Sequence, residues 1–194
     1  MSSKRLTFPT SEEAIRELRA GDEVTVDGHI IGIRDRTQIR IFDEGVEPPM
    51  DLRGAFLLHT APNVRKLAPG KYEKICIGTT TSARMVRFTE PLGRDYGVRA
   101  ICGKGGLPDE AIEPMKKLGM VYFAIVGGAA ALETTQIEEI EEVAWEELMP
   151  ECLWKFRVKD FGPLTVGIDA HGTSLFHDVQ EAAKKRLEDL YARL

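Results

Sequence analysis

The sequence predicts an α/β layered domain, and three observations predict it. Short β-branched or apolar runs recur at residues 23–33, 55–60, 71–77, 98–102, 121–126, 154–158 and 164–169, with helical periodicity between some of them. No internal repeat, low-complexity tract or linker interrupts the series, so residues 1–194 read as a single domain. At 194 residues, 43% hydrophobic and 29% charged, the chain can bury a sizeable core.

Taken in order, Thr10-Ser11-Glu12-Glu13 has capping-box spacing and opens a short helix with Ala14, Ile15 and Leu18 inward, ended by Gly21. Glu23-Val24-Thr25-Val26-Asp27 alternates as a strand, Gly28 interrupts it, and Ile30-Ile31-Gly32-Ile33 extends it to Arg34-Asp35. A helix is expected at 37–42 and a connecting loop at 45–50. Residues 55–60 form a continuous apolar strand carrying His59, which can donate to a ligand or serve as a paired structural histidine. Residues 91–96 read as a connector. The strand at 98–102 ends in Gly103-Lys104-Gly105-Gly106, where glycines let backbone and ammonium approach a ligand together. It is not a P-loop, because the upstream glycine, the spacing and the following Ser/Thr are missing.

Pro108-Asp109-Glu110 opens a helix with Ala111, Met115 and Leu118 inward and Gly119 at its end. After the strand at 121–126, Gly127-Gly128 allows close backbone approach, to a ligand or to packed structure. The acidic stretch 138–145 reads as a solvated face or edge strand. Residues 178–194 are an amphipathic helix, with Val179, Ala182, Ala183, Leu187, Leu190 and Tyr191 expected inward. His171-Gly172 precedes it with no evident chemical partner.

A net charge of -5 without a Lys/Arg cluster excludes a nucleic-acid surface. No signal-peptide h-region and no apolar run long enough to span a bilayer are present, so a cytoplasmic protein is expected. Cys76, Cys102 and Cys152 are odd in number and widely spaced. Neither disulfides nor metal ligation by these thiols is expected, and Cys76 and Cys102 are placed in strands with their side chains in the core.

The chain is organised around Ile75-Cys76-Ile77-Gly78-Thr79-Thr80-Thr81-Ser82-Ala83-Arg84-Met85. It reads as a strand feeding a helix N-terminus, a corner that offers backbone N–H groups and hydroxyls to an anion. With a helix starting near Thr80, Arg84 lies one turn on and can share a small carboxylate with the Thr80 hydroxyl. The spacing alone equally fits an ordinary Thr/Ser cap with a solvated arginine.

This stretch resembles the Gly-Pro-Thr-Thr-x-x-Arg-Met signature of the β half of class I (iron–sulfur) fumarate hydratases and L(+)-tartrate dehydratases. The resemblance runs from Gly21 to Phe176. It takes in Arg34-Asp35, Gly103-Lys104-Gly105, Gly127-Gly128-Ala129-Ala130-Ala131 and Ile168-Asp169-Ala170-His171-Gly172. Two departures stand out: Thr79 replaces the signature's proline, and Thr60-Ala61-Pro62 lacks the glycine of Ala-Gly-Pro. The resemblance implies a swivelling β/β/α domain, as in the mobile domain of aconitase-like hydro-lyases. It implies Arg34, Thr80, Thr81, Arg84 and Lys104 as substrate-binding residues, with Thr80 as the catalytic base. The cofactor it implies is a [4Fe-4S] cluster held by a partner α subunit and not by this chain, in an assembly for which α2β2 is one arrangement. The reaction implied is interconversion of fumarate and (S)-malate. L(+)-tartrate dehydration is the alternative, and a non-catalytic dicarboxylate-binding module a second.

Overall fold

The computed structural model describes residues 3–128 and 130–192. Its centre is β2 (Glu23–Ile33), which pairs parallel with β1 (Ser3–Phe8) and β3 (Phe56–His59) and antiparallel with β9 (Leu153–Ile168). From β3 the parallel order continues through β6 (Ala100–Gly103) to β7 (Val121–Ala124). The far half of β9 pairs antiparallel with β7. Strand β9 therefore touches both β2 and β7, and the sheet closes into a small barrel. An acidic edge strand, β8 (Ile137–Ala144), lies outside β9, as the run of glutamates predicts.

Alternation along the strands sorts the apolar residues onto two faces. Phe56, Leu58, Val24, Val26, Phe123 and Val166 point into the barrel. There the Phe56 ring meets Phe8 at 5.2 Å, Phe123 at 5.6 Å and Phe161 at 6.1 Å. Ile31, Ile33, Leu57, Ile101 and Tyr122 point outward. They are covered by α2 (Asp35–Phe42), α3 (Thr89–Tyr96) and α4 (Ile112–Leu118), through Ile41, Leu92 and Met115.

Several expectations need correction. Residues 91–96 are not a connector but most of α3, with Pro91 in its first turn, where a missing N–H costs nothing. Gly28 does not break β2; the strand runs through it at φ +95° with a shift of register. The two strands expected at 154–158 and 164–169 are one, β9. The hairpin partner β4 (Asn63–Ala68) of β5 (Lys71–Cys76) and the short α5 (Ala130–Gln136) carry little apolar patterning and were not expected, nor was β1. Cys76 is half-buried, so only Cys102 and Cys152 belong to the core. Helix α1 (Glu12–Arg16) starts one residue later than the capping-box spacing implies, on Ser11, whose Oγ accepts from the Ala14 N–H. The largest departure is α6 (Leu175–Tyr191): Val179, Leu187, Leu190 and Tyr191 are exposed, because the helix leaves the domain after Phe176 docks against Tyr122. Residues 193–194, expected to end this helix, and Ala129 lie outside the described residues. No helix among the described residues is long and apolar enough to cross a membrane.

Candidate functional site

Strands β2, β3, β6 and β7 run parallel, so their C-terminal ends share one rim, the usual ligand side of such a sheet. Onto it they deliver Arg34, His59-Thr60, Lys104 and Gly127. The segment 78–82 is threaded between two of these strand ends. Thr79 bridges Thr60, and Thr81 bridges Lys104. Thr80 N–H donates to the His59 carbonyl at 2.8 Å, Ser82 N–H to the Lys104 carbonyl at 3.0 Å, and Lys104 N–H to the Thr80 carbonyl at 3.2 Å.

The expected helix N-terminus at Thr80 is therefore absent. The chain stays extended through Thr81, and a 3-10 turn begins only at Ala83 (Ala83–Phe88). Two N–H groups of the corner expected to face an anion, those of Thr80 and Ser82, are spent on the neighbouring strand ends. What the segment gains is rigidity. Glycine is required beside it, since a Cβ on Gly103 would stand 2.1 Å from Ser82 Oγ and 3.2 Å from the Thr80 carbonyl.

The side chains then assemble around a residue the sequence analysis gave no role, Asp35. Arg84 Nε donates to Asp35 Oδ1 at 2.8 Å and its Nη2 to Oδ2 at 2.9 Å. The same Nη2 donates to Thr80 Oγ at 2.9 Å. Arg34, which precedes α2 with extended backbone, places Nε 3.3 Å from Asp35 Oδ2 and 3.5 Å from Glu151 Oε1. Arg34, Thr80 and Arg84 are thus joined through one carboxylate. Burial raises the Asp35 pKa, but the Arg84 bonds outweigh it and hold the carboxyl below its usual range; the Asp35 bond raises Arg84 in turn. Both arginines expected to bind substrate thus already face carboxylates of this chain.

Lys104 and Thr81 are tied to Thr80 through backbone, with both side chains exposed. The lysine stem lies across Gly127, where an added Cβ would come 2.7 Å from its Cδ. That contact is the close approach for which Gly127 is needed. His171 does find a partner, its Nε2 lying 2.8 Å from the Arg16 carbonyl.

Beneath the rim His59 is 1% exposed, with Nδ1 2.9 Å from the buried Ser82 Oγ, which also receives the Tyr122 hydroxyl at 3.1 Å. Burial pushes the His59 pKa down to about 3, so the ring is neutral at physiological pH. A cleft of about 760 Å³ lies elsewhere, lined by Ala61, Pro62, Tyr72, Glu146, Met149 and Pro150 and by none of Arg34, Thr80, Thr81, Arg84 and Lys104. The cluster around Asp35 lies at the surface, with Arg84 43% exposed.

Among the described residues no three His, Cys, Asp or Glu side chains gather as a metal-ligand set. Cys76 closes β5, Cys102 lies within β6 and Cys152 precedes β9. For Cys102 and Cys152 burial also raises the thiol pKa, which opposes the thiolate form that ligates iron. The residues present do not fit an iron–sulfur cluster.

A family model described as Fumarase C-terminus matches residues 2–179. The L(+)-tartrate dehydratase subunit beta of Escherichia coli K12 is 38% identical over 188 residues, covering 96% of this chain and 93% of that one. A Geobacillus stearothermophilus protein named "Putative fumarate hydratase class I" is 36% identical over 183 residues, 94% of this chain but 35% of that protein. A Methanocaldococcus jannaschii relative, named as a tartrate dehydratase beta subunit with the same qualifier, is 32% identical over 185 residues, 93% of this chain and 94% of that one. With the match spanning most of its length, the chain belongs to the fumarase C-terminus family, whose members here include beta subunits of L(+)-tartrate dehydratase and a class I fumarate hydratase relative.

Proposed function

We propose that this chain is the β subunit of a two-subunit hydro-lyase acting on a four-carbon dicarboxylate, with fumarate and (S)-malate as its substrate pair. The observation that carries the reading is the Arg84 bridge, in which one guanidinium orients on Asp35 and donates to Thr80 Oγ. Fixed on one side by Asp35, Arg84 keeps Nη1 for a substrate carboxylate, and exposed Lys104 on the same rim supplies a second cation. Arg34, held by Asp35 and Glu151, gives the far end of the clamp.

Thr80 Oγ is the group for proton transfer at the carbon next to the carboxylate. A free threonine hydroxyl is a poor base, but a charge-assisted bond from Arg84 favours the alkoxide, more so once a partner surface excludes water. In the direction of dehydration the C–H bond breaks, the proton passes to Thr80 Oγ, the double bond forms and hydroxide leaves the adjacent carbon. A [4Fe-4S] cluster on the partner, as the family resemblance implies, would assist the departing hydroxide. The described side chains of this chain do not themselves fit such a cluster.

Two features support a partner. The clamp stands exposed rather than in a closed cavity, and relatives covered almost end to end are named as beta subunits, whereas the Geobacillus protein is much longer than the matched part. An α subunit that closes over the rim, with this domain as the swivelling half, accounts for both. Tartrate is the second reading, favoured by the name of the relatives at 38% identity. Anaerobic reconstitution with the α subunit, assayed on malate, fumarate and tartrate, tests the proposal. Turnover of malate and fumarate by the pair is expected; turnover of tartrate alone would replace this reading by the second, and no turnover of any would overturn both.

A further inference from the structure

We infer that His59 is a further ligand-binding residue of this site, donating from Nε2–H to an oxygen of the bound dicarboxylate; the inference rests on the function proposed above. With the Tyr122 hydroxyl donating to Ser82 Oγ, we place the Ser82 proton in the bond to His59 Nδ1, which then accepts it. The proton of the neutral imidazole then resides on Nε2. That atom is buried and meets no partner among the described residues.

An unsatisfied polar atom on a side chain 1% exposed is costly, and such groups in native proteins call for a reason. The location supplies one. His59 ends β3, its own carbonyl holds the Thr80 N–H, and the charges acting on its ring are those of Asp35 and Arg84. The residue is thus joined through its carbonyl to Thr80, the same residue that Arg84 bridges to Asp35. A neutral donor there adds a directed hydrogen bond to a carboxylate or hydroxyl oxygen without a further charge. Burial that keeps the ring uncharged keeps that donor constant across the working pH range.

Two substitutions separate the ring's two nitrogens. Asn places an amide near the Nδ1 position and preserves the Ser82 contact, whereas Gln reaches the Nε2 position and preserves the donor. In the reconstituted enzyme His59→Gln should stay within about threefold of wild type in kcat/KM, and His59→Asn should fall by about tenfold to a hundredfold, the range for a hydrogen bond to a charged group. Nitrogen NMR of the wild-type assembly should show the Nε2–H tautomer, and succinate, an unreactive four-carbon dicarboxylate, should shift that resonance. This measurement decides the matter if either variant folds poorly. Wild-type rates in His59→Asn, or a His59 signal that succinate leaves unmoved in an assembly that turns over substrate, would overturn this inference alone. A wild-type assembly inactive on all three acids would instead overturn the function.

Discussion

Asp35 takes up the Nε edge of Arg84, and what remains for a ligand is Nη1 and the position of Thr80. Replacing Asp35 by Asn removes the charge that orients the guanidinium while keeping the side chain's shape. The reconstituted enzyme should then lose about tenfold in kcat/KM, as expected for one charge-assisted bond, with Tm little changed; equal kinetics would show that Arg84 orients itself. Thr80→Ser should retain most activity and Thr80→Val almost none, since only valine lacks the oxygen that Arg84 meets; a valine variant with wild-type kcat would remove Thr80 from the chemistry. His59 gives a pH signature in stability. Its pKa is 6.5 unfolded and about 3 folded, so between those values the unfolded state binds a proton that the folded state does not. Stability therefore rises with pH across that window and levels off above it. Relative to His59→Gln, wild type should lose up to about 1.4 kcal/mol per pH unit on acidification within the window, read by urea unfolding at several pH values. A difference independent of pH would contradict the buried neutral ring. Arg34, Thr80, Arg84 and Lys104 could be singled out as candidates because each stands in a local motif that carries the family resemblance. Asp35 stood in the Arg34-Asp35 pair but drew no role, because its partner lies 49 positions away and no local pattern records that contact.

At the scale of elements, segment 78–82 holds the site in register, and its rigidity comes from lying between β3 and β6 rather than from a helix end. Gly103→Ala tests this, because the methyl would press on Ser82 Oγ and the Thr80 carbonyl. The cost should be about 1–3 kcal/mol, typical of overpacking, with a drop in activity of the assembled enzyme. A neutral effect in denaturant titration would mean that the segment yields easily. The sequence made β2, β3, β6 and β7 readable through their apolar runs, and α4 through its acidic first turn. It misled at residues 79–82, where Thr/Ser capping chemistry and an extended strand-edge segment look alike locally. It misled again at α6, because amphipathicity reports an apolar face and not what covers it. The β4–β5 hairpin escaped notice because β4 is largely exposed and lacks alternation.

For the whole molecule, barrel closure by β9 is what fixes the clamp. Strand β9 joins β2, which carries Arg34, to β7, which carries Gly127 under Lys104, so the rim cannot open without breaking the barrel. The α/β class was readable from the order of elements, but closure was not, since it depends on one 16-residue strand whose middle is broken by Asp160-Phe161-Gly162-Pro163. The completed rim offers cations, a hydroxyl and a neutral histidine, the groups that the proposed dicarboxylate site uses. The most direct measurement is kcat/KM for malate, fumarate and tartrate, taken anaerobically on this chain alone, on the chain with its α subunit, and on the same pair carrying Arg84→Lys. The account predicts no turnover by the chain alone, turnover of at least one acid by the pair, and a loss of tenfold or more in the lysine variant, roughly 1.4 kcal/mol of transition-state stabilisation. Turnover by the isolated chain, or an Arg84→Lys pair as active as wild type, would contradict it.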